Sequence, residues 1–286
     1  MSGGRPAGAQ RPLALRRYGQ NHLVDKNILA AVLRSAAVRP DDVVLEVGAA
    51  AGLLTDHLAE QAAAVHAFEI DRRFAPALEQ LAARHGNVQV HIEDALRAPL
   101  DRLAPPPTAL VANLAYNIAI PLIVTSISEV PSLARWAVML QKELAERLFA
   151  APRTKAYSAV SVLVQLACER ESVRQVPRQA FLPPPRVDSV FVTFARQAAA
   201  GSGRAANARQ LTADEWPAMA ALVRLAFGQR RKMLVNTIGG AARQGRVLTR
   251  EQVSAALVAQ GLPAGARPEE LSPSAFVSLA RELAWF

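Results

Sequence analysis

A short apolar run followed directly by a glycine-bounded turn limits the fold of this chain more than any other feature. The run is VVLEV at residues 43–47, and the turn extends from Gly48 to Gly52. A β-branched run of this length is typical of a strand covered on both faces, as in a parallel sheet. Small residues after such a strand let the backbone approach a ligand closely. The sequence therefore predicts a strand, a ligand-binding turn and a helix.

The same alternation of strands and helices continues as far as Phe194. Because strand–helix–strand units wind right-handed into parallel sheets, we predict an α/β fold with a doubly wound, Rossmann-like sheet. We expect the last strand to pair at the sheet edge. The predicted strands are residues 43–47, 64–70, 88–92, 109–112, 136–140 and 190–194, and the predicted helices are 53–61, 72–84, 118–127, 142–150 and 157–167.

The composition changes after Phe194. Residues 198–203, AAAGSG, are typical of a flexible linker. Beyond them lie helix-like segments with no strand predicted between them. We therefore predict two domains, a Rossmann-like domain with a basic N-terminal arm at residues 1–197 and a small all-helical domain at residues 198–286. The predicted helices of the second domain are residues 216–227, 230–238, 250–259 and 274–283.

The charge of the chain is strongly positive and unevenly distributed. The net charge is +9, and residues 1–40 carry seven basic and one acidic side chain, whereas residues 41–100 carry four and ten. Such a balance points first to nucleic acid as a partner. The arginine-rich composition also fits a GC-rich genome, and both interpretations remain open. The acidic block between basic ends suggests a small-molecule core flanked by surfaces that bind a polyanion.

Cysteine usage and hydropathy indicate the cellular setting. The single cysteine, Cys168, excludes an intramolecular disulfide and a multi-cysteine zinc site, so we expect no metal. The uncharged stretch 103–128 contains prolines and asparagines that a membrane span tolerates poorly. No targeting segment is evident at the N-terminus. We expect a cytoplasmic protein that does not associate with membranes.

Acidic residues stand at the ends of the next two predicted strands. Glu69 lies in the second strand near its end, and Asp94 follows the third. A carboxylate about 20 residues after a glycine turn often accepts from ribose hydroxyls, and Asp94 can receive an adenine amino group. Such acceptors suit a nucleoside cofactor with a sulfonium cation better than a dinucleotide with a pyrophosphate. The same residues also fit an ordinary strand–helix turn with surface carboxylates.

The pentapeptide NLAYN at residues 113–117 follows the fourth predicted strand. An exocyclic adenine amine is a weak nucleophile because its lone pair is delocalised into the ring. The Asn113 side-chain carbonyl and a backbone carbonyl are suited to hold the two N–H groups of such an amine, and Tyr116 is suited to stack on the base. This chemistry depends mostly on positioning, and the target base must leave its stack to reach the pocket.

With these motifs, the chain resembles the small-subunit ribosomal RNA adenine N6,N6-dimethyltransferases, the KsgA/RsmA family. Seven segments match the family in order, over nearly the whole length. They are YGQNHL at 18–23 (family FGQNFL), the cofactor loop 46–52, NLAY at 113–116 (NLPY), QKE at 141–143, KAYS at 155–158 (KAYG), FLPPPRVDS at 181–189 (FxPPPKVDS) and FGQRRK at 227–232 (FxQRRK).

The resemblance implies an enzyme that uses S-adenosylmethionine to convert two adjacent adenosines near the 3′ end of 16S rRNA to N6,N6-dimethyladenosine, with a role in small-subunit biogenesis. Its partner would be small-subunit rRNA in the assembling small ribosomal subunit, and we expect a monomer. The implied cofactor contacts are Asn21, Leu23, Gly48, Glu69, Asp94 and Asn113. The implied catalytic residues are Asn113, Leu114 and Tyr116, and the implied rRNA contacts are Arg230, Arg231 and Lys232.

Three positions depart from the family pattern. Ala115 replaces a proline, Ala49–Ala51 replaces a loop that contains proline and glycine, and His22 replaces a phenylalanine. Alanine is disfavoured wherever the loop requires a positive φ. These departures leave two alternatives open, an Erm-type large-subunit rRNA methyltransferase that confers macrolide resistance and a catalytically silent ribosome-assembly factor. Leu114 and the helical C-terminal part with residues 229–232 favour the small-subunit enzyme.

Overall fold

The computed structural model describes residues 21–197, 211–212 and 214–286. The predicted linker at 198–203 and the first three residues of the motif at 18–23 lie outside the described residues. The described chain divides into two compact units. The first unit contains the described residues up to Ala119, together with 137–140 and 175–191, and the second contains 120–136, 141–174 and the described residues from 192 onward. The domain boundary after residue 197 stays a prediction.

Among the described residues, strands and helices alternate as far as residue 91, and from there to residue 196 the order is mixed. The strands are β1 (His22–Leu23), β2 (Val43–Val47), β3 (Ala64–Phe68), β4 (Val88–His91), β5 (Ala109–Asn113), β6 (Arg135–Gln141), β7 (Cys168–Val176), β8 (Phe181–Leu182), β9 (Ser189–Arg196), β10 (Ala242–Arg243) and β11 (Arg246–Val247). The helices are α1 (Lys26–Ala36), α2 (Leu53–Ala59), α3 (Ala75–His85), α4 (Tyr116–Glu129), α5 (Lys142–Leu148), α6 (Ala159–Ala167), α7 (Glu215–Phe227), α8 (Leu234–Thr237), α9 (Arg250–Ala259) and α10 (Pro273–Glu282).

A seven-stranded sheet has the order β4–β3–β2–β5–β6–β9–β7. β2 pairs in parallel with both β3 and β5, and β3 pairs in parallel with β4. All five residues of β2 are buried, which explains why four of them are apolar. The register places Val47 beside Phe68 and Phe68 beside His91, so β2, β3 and β4 end at the same edge. The predicted Rossmann-like α/β fold is confirmed.

Two predictions about the later strands are wrong. β7 was not expected, because its seven interior residues are all exposed and its sequence, CERESVRQV, lacks an apolar alternation. β9 lies between β6 and β7 and is not the edge strand that the sequence predicts. A strand with solvent on its side chains gives no hydropathy signal, although its backbone still completes the sheet.

The C-terminal part is helical, with two differences from the prediction. The helix predicted at 230–238 is reduced to α8, and turns precede it. β10 and β11 form a short antiparallel hairpin where no strand was predicted. Its two-residue loop, Gln244 and Gly245, has φ angles of 50° and 77°, as hairpin turns of this length require. The second unit has an apolar core that includes Leu222, Leu257 and Phe276.

Within the described ranges, no helix combines the length and the apolarity needed to cross a bilayer.

Candidate cofactor and adenine site

Two clefts lie at the carboxyl ends of the parallel strands, both within the first unit. Their volumes, open solvent included, are about 690 and 1010 Å³. His22, Gly48, Ala50 and Asn113 line both clefts. The structure thus brings most predicted site residues together. Leu23 lines the smaller cleft, and Asn21, Glu69, Asp94, Leu114 and Tyr116 line the larger one.

The turn after β2 approaches its neighbours through its backbone. Gly48 has a φ of 83°, and a Cβ atom built there would lie 3.6 Å from the Asn113 carbonyl oxygen. At Gly52, with a φ of 81°, a Cβ would lie 2.6 Å from Leu81 Cδ1. Ala50 between them has a φ of 49°, which is strained for a residue with a side chain. The family departure at Ala49–Ala51 therefore does place an alanine in the left-handed region.

Glu69 fixes this strained turn. Its side chain accepts a hydrogen bond from the Ala50 backbone N–H at Oε2 and another from the Asp71 N–H at Oε1, both at 2.8 Å. Burial raises the pKa of Glu69, and the two N–H donors oppose that shift. Each carboxylate oxygen retains lone-pair capacity for a further donor. Glu69 is 4% exposed and is the principal acceptor at the end of β3.

Asp94 lies after β4 in a partly exposed position. Its Oδ1 accepts from the Leu96 N–H at 3.0 Å, which sets the orientation of the carboxylate. Arg97 lies 3.7 Å from Oδ2. The Asp94 side chain is 35% exposed, so solvent screens this ion pair. Asp94 is therefore oriented by the turn and still able to accept from a ligand.

Glu46 lines a cleft, although the sequence analysis placed it only within the cofactor loop 46–52 and not among the implied cofactor contacts. It is the fourth of the five residues of β2, is 2% exposed and lines the smaller cleft. Its Oε2 has no hydrogen-bond partner among the described residues. Burial raises the pKa of Glu46 to about 8, the nearby Thr55 hydroxyl lowers it, and Glu69 raises it slightly further. The signal was present in the sequence, since a glutamate interrupts the otherwise apolar VVLEV run.

The Asn113 amide is oriented by the segment before β1. Its Nδ2 donates to the Asn21 backbone carbonyl at 2.9 Å. No hydrogen bond from a described residue reaches its Oδ1, so this oxygen keeps its capacity to accept, and Asn113 lines both clefts. Leu114 is 2% exposed, and its N–H donates to the Met139 carbonyl at 3.3 Å. The loop is thus held by backbone bonds although Ala115 replaces the family proline.

Tyr116 and His22 flank the same space. The Tyr116 hydroxyl lies 3.2 Å from Ser189 Oγ, and Ser189 is 2% exposed, so a buried group holds the ring. Sequence reasoning missed Ser189, because its role depends on the fold. His22 packs edge-on against Phe74, with ring centroids 5.8 Å apart. This contact fits a packing role for the His22 ring.

The three predicted rRNA contacts lie in the second unit, in the turns between α7 and α8. Arg230 bonds to Glu269 and to the backbone carbonyls of Thr154 and Lys155. Arg231 and Lys232 are exposed, and neither forms an ion pair with a described residue. The structure therefore separates three residues that the sequence presents as one basic group.

Comparisons with known proteins agree with one another. The family model described as ribosomal RNA adenine dimethylase matches residues 13–266. The ribosomal RNA small subunit methyltransferase A of Rubrobacter xylanophilus is 40% identical over 272 residues, which cover 95% of this chain and 96% of that protein. The crystal structure of a dimethyladenosine transferase from Plasmodium falciparum is 26% identical with a TM-score of 0.72, covering 92% of this chain and 97% of that one. The 23S rRNA methyltransferase ErmE is 29% identical with a TM-score of 0.64, covering 92% and 100%.

Proposed function

The chain belongs to the ribosomal RNA adenine dimethylase family, and from that premise we propose that it methylates N6 of two adjacent adenosines near the 3′ end of 16S rRNA. The product is N6,N6-dimethyladenosine, and the methyl donor is S-adenosylmethionine. We propose that the protein acts as a cytoplasmic monomer on the assembling small subunit. The observation that carries this proposal is the Asn113 amide, whose Nδ2 is held by the Asn21 carbonyl and whose residue lines both clefts.

The residues of the two clefts fit S-adenosylmethionine, which supplies a methyl group activated on a sulfonium cation. Gly48, with its positive φ of 83°, lines both clefts without a side chain, so a ligand can approach the backbone of the turn. Glu69 is placed to accept from ribose hydroxyls and Asp94 from an adenine amino group, while Asn21 and Leu23 form the near wall. Glu46 lines the smaller cleft and has a buried Oε2 without a partner among the described residues, so it adds a polar group that can hydrogen-bond to a ligand.

Asn113, Leu114 and Tyr116 orient the target adenine. The Asn113 Oδ1 and a backbone carbonyl of the loop accept from the two N–H groups of the amine, so that its nitrogen faces the methyl donor. Tyr116 stacks on the flipped base, and Ser189 holds the tyrosine hydroxyl. No base needs to remove a proton before attack, because the nitrogen becomes acidic once it is methylated and would then release its proton to water. Catalysis therefore depends on positioning.

The same observations weigh against the two alternatives. The relative with 40% identity acts, by its name, on the small subunit. The TM-score to the dimethyladenosine transferase, 0.72, exceeds the 0.64 to ErmE. Against a silent assembly factor, the chain retains an oriented Asn113 and an anchored Tyr116. These findings support a small-subunit enzyme.

Transfer of labelled methyl groups tests the proposal. The protein is incubated with labelled S-adenosylmethionine and with purified small or large ribosomal subunits from a host that lacks both adenine dimethylations. We expect label in small-subunit rRNA alone. Label in large-subunit rRNA would support the Erm-type alternative. Tight binding to small subunits with no label would support the assembly factor.

A further inference from the structure

Arg230 is committed to contacts within the second unit. Its Nε donates to Glu269 Oε2 at 2.6 Å, its Nη1 to the Lys155 carbonyl at 2.6 Å and its Nη2 to the Thr154 carbonyl at 2.8 Å. A planar guanidinium with donors on three nitrogens matches this fork of acceptors, and an ammonium does not. We call Arg230, Glu269 and the carbonyls of Thr154 and Lys155 the Arg230 clamp.

Further bonds join the same two segments. The Arg153 N–H donates to the Glu269 carbonyl at 2.7 Å, and the Arg153 side chain lies 3.6 Å from Glu270 Oε2. The buried Tyr157 hydroxyl donates to the Leu271 carbonyl at 2.7 Å. Loop 151–157 is therefore fastened to turn 268–271 along its length, and the Arg230 clamp ties both to the residues after α7.

The charges around the clamp differ from one basic residue to the next. Glu269 already neutralises Arg230, and two carbonyl dipoles point at the guanidinium, so its charge attracts a phosphate less than an unpaired cation does. Arg231, Lys232 and Lys155 are exposed, and none of their side chains pairs with an acid among the described residues. The backbone carbonyl of Lys155 itself accepts a hydrogen bond from Arg230.

We propose that Arg230 is a positioning residue that holds loop 151–157, and that Lys155, Arg231 and Lys232 are the side chains that meet rRNA phosphates. This inference rests on the proposed function for the identity of the partner as rRNA. It changes the prediction from the sequence in two ways, since it removes Arg230 from the phosphate contacts and adds Lys155.

Salt dependence of binding to small ribosomal subunits separates the two roles. Each lost phosphate contact lowers the slope of log K against log salt by about one. We therefore expect K155A, R231A and K232A to flatten the slope by about one each without a change in melting temperature. R230A and R230K should both weaken binding roughly three- to tenfold, because Lys155 loses its preorganised backbone, while the slope stays near that of the wild type.

Glu269 provides the matched control. In the proposed clamp, E269A lowers the melting temperature and weakens binding as R230A does, and the double variant R230A/E269A is no worse than either single one. If Arg230 instead contacts phosphate, removing Glu269 releases the guanidinium and strengthens binding. R230K with wild-type affinity, or R230A with a slope lower by about one, would also overturn the proposal.

These outcomes are distinct from a failure of the proposed function. The melting temperatures of R230A and E269A are measured on the protein alone and test the clamp without RNA. A wild-type protein that binds no small subunits but shows the coupled melting effect would contradict the phosphate contacts and the proposed substrate, while leaving the clamp in place. Uncoupled melting effects would contradict the clamp.

Discussion

Different structural features position the polar groups of the two clefts and those of the turn after α7, which contains residues 230–232. In the clefts, parallel register brings the ends of β2, β3 and β4 together, so residues far apart in sequence share one site. In the turn, the adjacent residues Arg230 and Arg231 differ, because one is bonded to three acceptors and the other is exposed. A parallel sheet makes sequence position informative about function, and a turn between helices does not.

The largest expected effect is loss of catalysis at Asn113. Asn113→Ala removes the oriented Oδ1 acceptor, and a misplaced amine reacts roughly a hundredfold more slowly or worse. Single-turnover methylation of small subunits measures this rate. The control is Asn236→Ala, an exposed asparagine in α8 of the second unit. If Asn113→Ala keeps the full rate, Asn113 has no role in the mechanism. Sequence position would then be no better a guide to function in the clefts than in the turn after α7.

Glu69 should affect cofactor binding and leave RNA binding alone. Glu69→Ala deletes a charged acceptor and leaves the Ala50 and Asp71 N–H groups without their partner. The cost is about 1.5–3 kcal/mol, roughly ten- to a hundredfold in affinity. Calorimetry with S-adenosylmethionine measures the loss, with the exposed Glu60→Ala as control. Unchanged cofactor affinity would place the cofactor elsewhere.

Tyr116 separates stacking from hydrogen bonding. Tyr116→Ala removes a ring whose stacking on a base is worth about 1–3 kcal/mol, and the methylation rate should fall accordingly. Tyr116→Phe keeps the ring and breaks only the bond to Ser189, so it should retain most activity. Ser189→Ala breaks the same bond, and its small effect should not add to that of Tyr116→Phe. Severe loss in Tyr116→Phe would assign the hydroxyl a direct role.

Glu46 gives a smaller effect, on stability and with a defined pH dependence. Its pKa is raised to about 8 in the folded protein from an ordinary value of 4.5. The stability that protonated Glu46 contributes to the folded protein is therefore fully present below about pH 4.5. It is lost as the pH rises toward 8. Glu46→Gln stays neutral, so its melting temperature should exceed that of the wild type by a few degrees at pH 8 and by little at pH 5. An equal difference in melting temperature at both pH values would contradict the raised pKa of Glu46.

Much of the first unit could be predicted because the local residue patterns of its strands agree with the order of strands and helices along the chain. VVLEV forms a buried strand, and Glu69 and Asp94 lie at neighbouring strand ends, as the alternation of elements indicates. The family resemblance is confirmed by the match over residues 13–266. Individual site roles stay predictions, although the structure brings the first-unit candidates to the clefts.

The remaining features depend on tertiary contacts that no short pattern encodes. β7 has exposed side chains and is recognisable only by its place in the sheet. Ser189 holds Tyr116 across 73 positions of sequence. Arg230 finds its acceptors 39 and 75 or more positions away, so the run of three basic residues concealed the clamp. Long sequence distances between contacting residues therefore limit the prediction of site roles more in the second unit than in the first.

The position of the modified nucleotides in rRNA tests the proposed function most directly. A host without its own adenine dimethylation expresses the wild-type chain, and mass spectrometry maps methylated adenosines in both ribosomal subunits. We expect two adjacent N6,N6-dimethyladenosines near the 3′ end of small-subunit rRNA, and none when Asn113→Ala is expressed. Dimethyladenosine in large-subunit rRNA, or unmodified rRNA in small subunits that carry the bound protein, would contradict the proposed function.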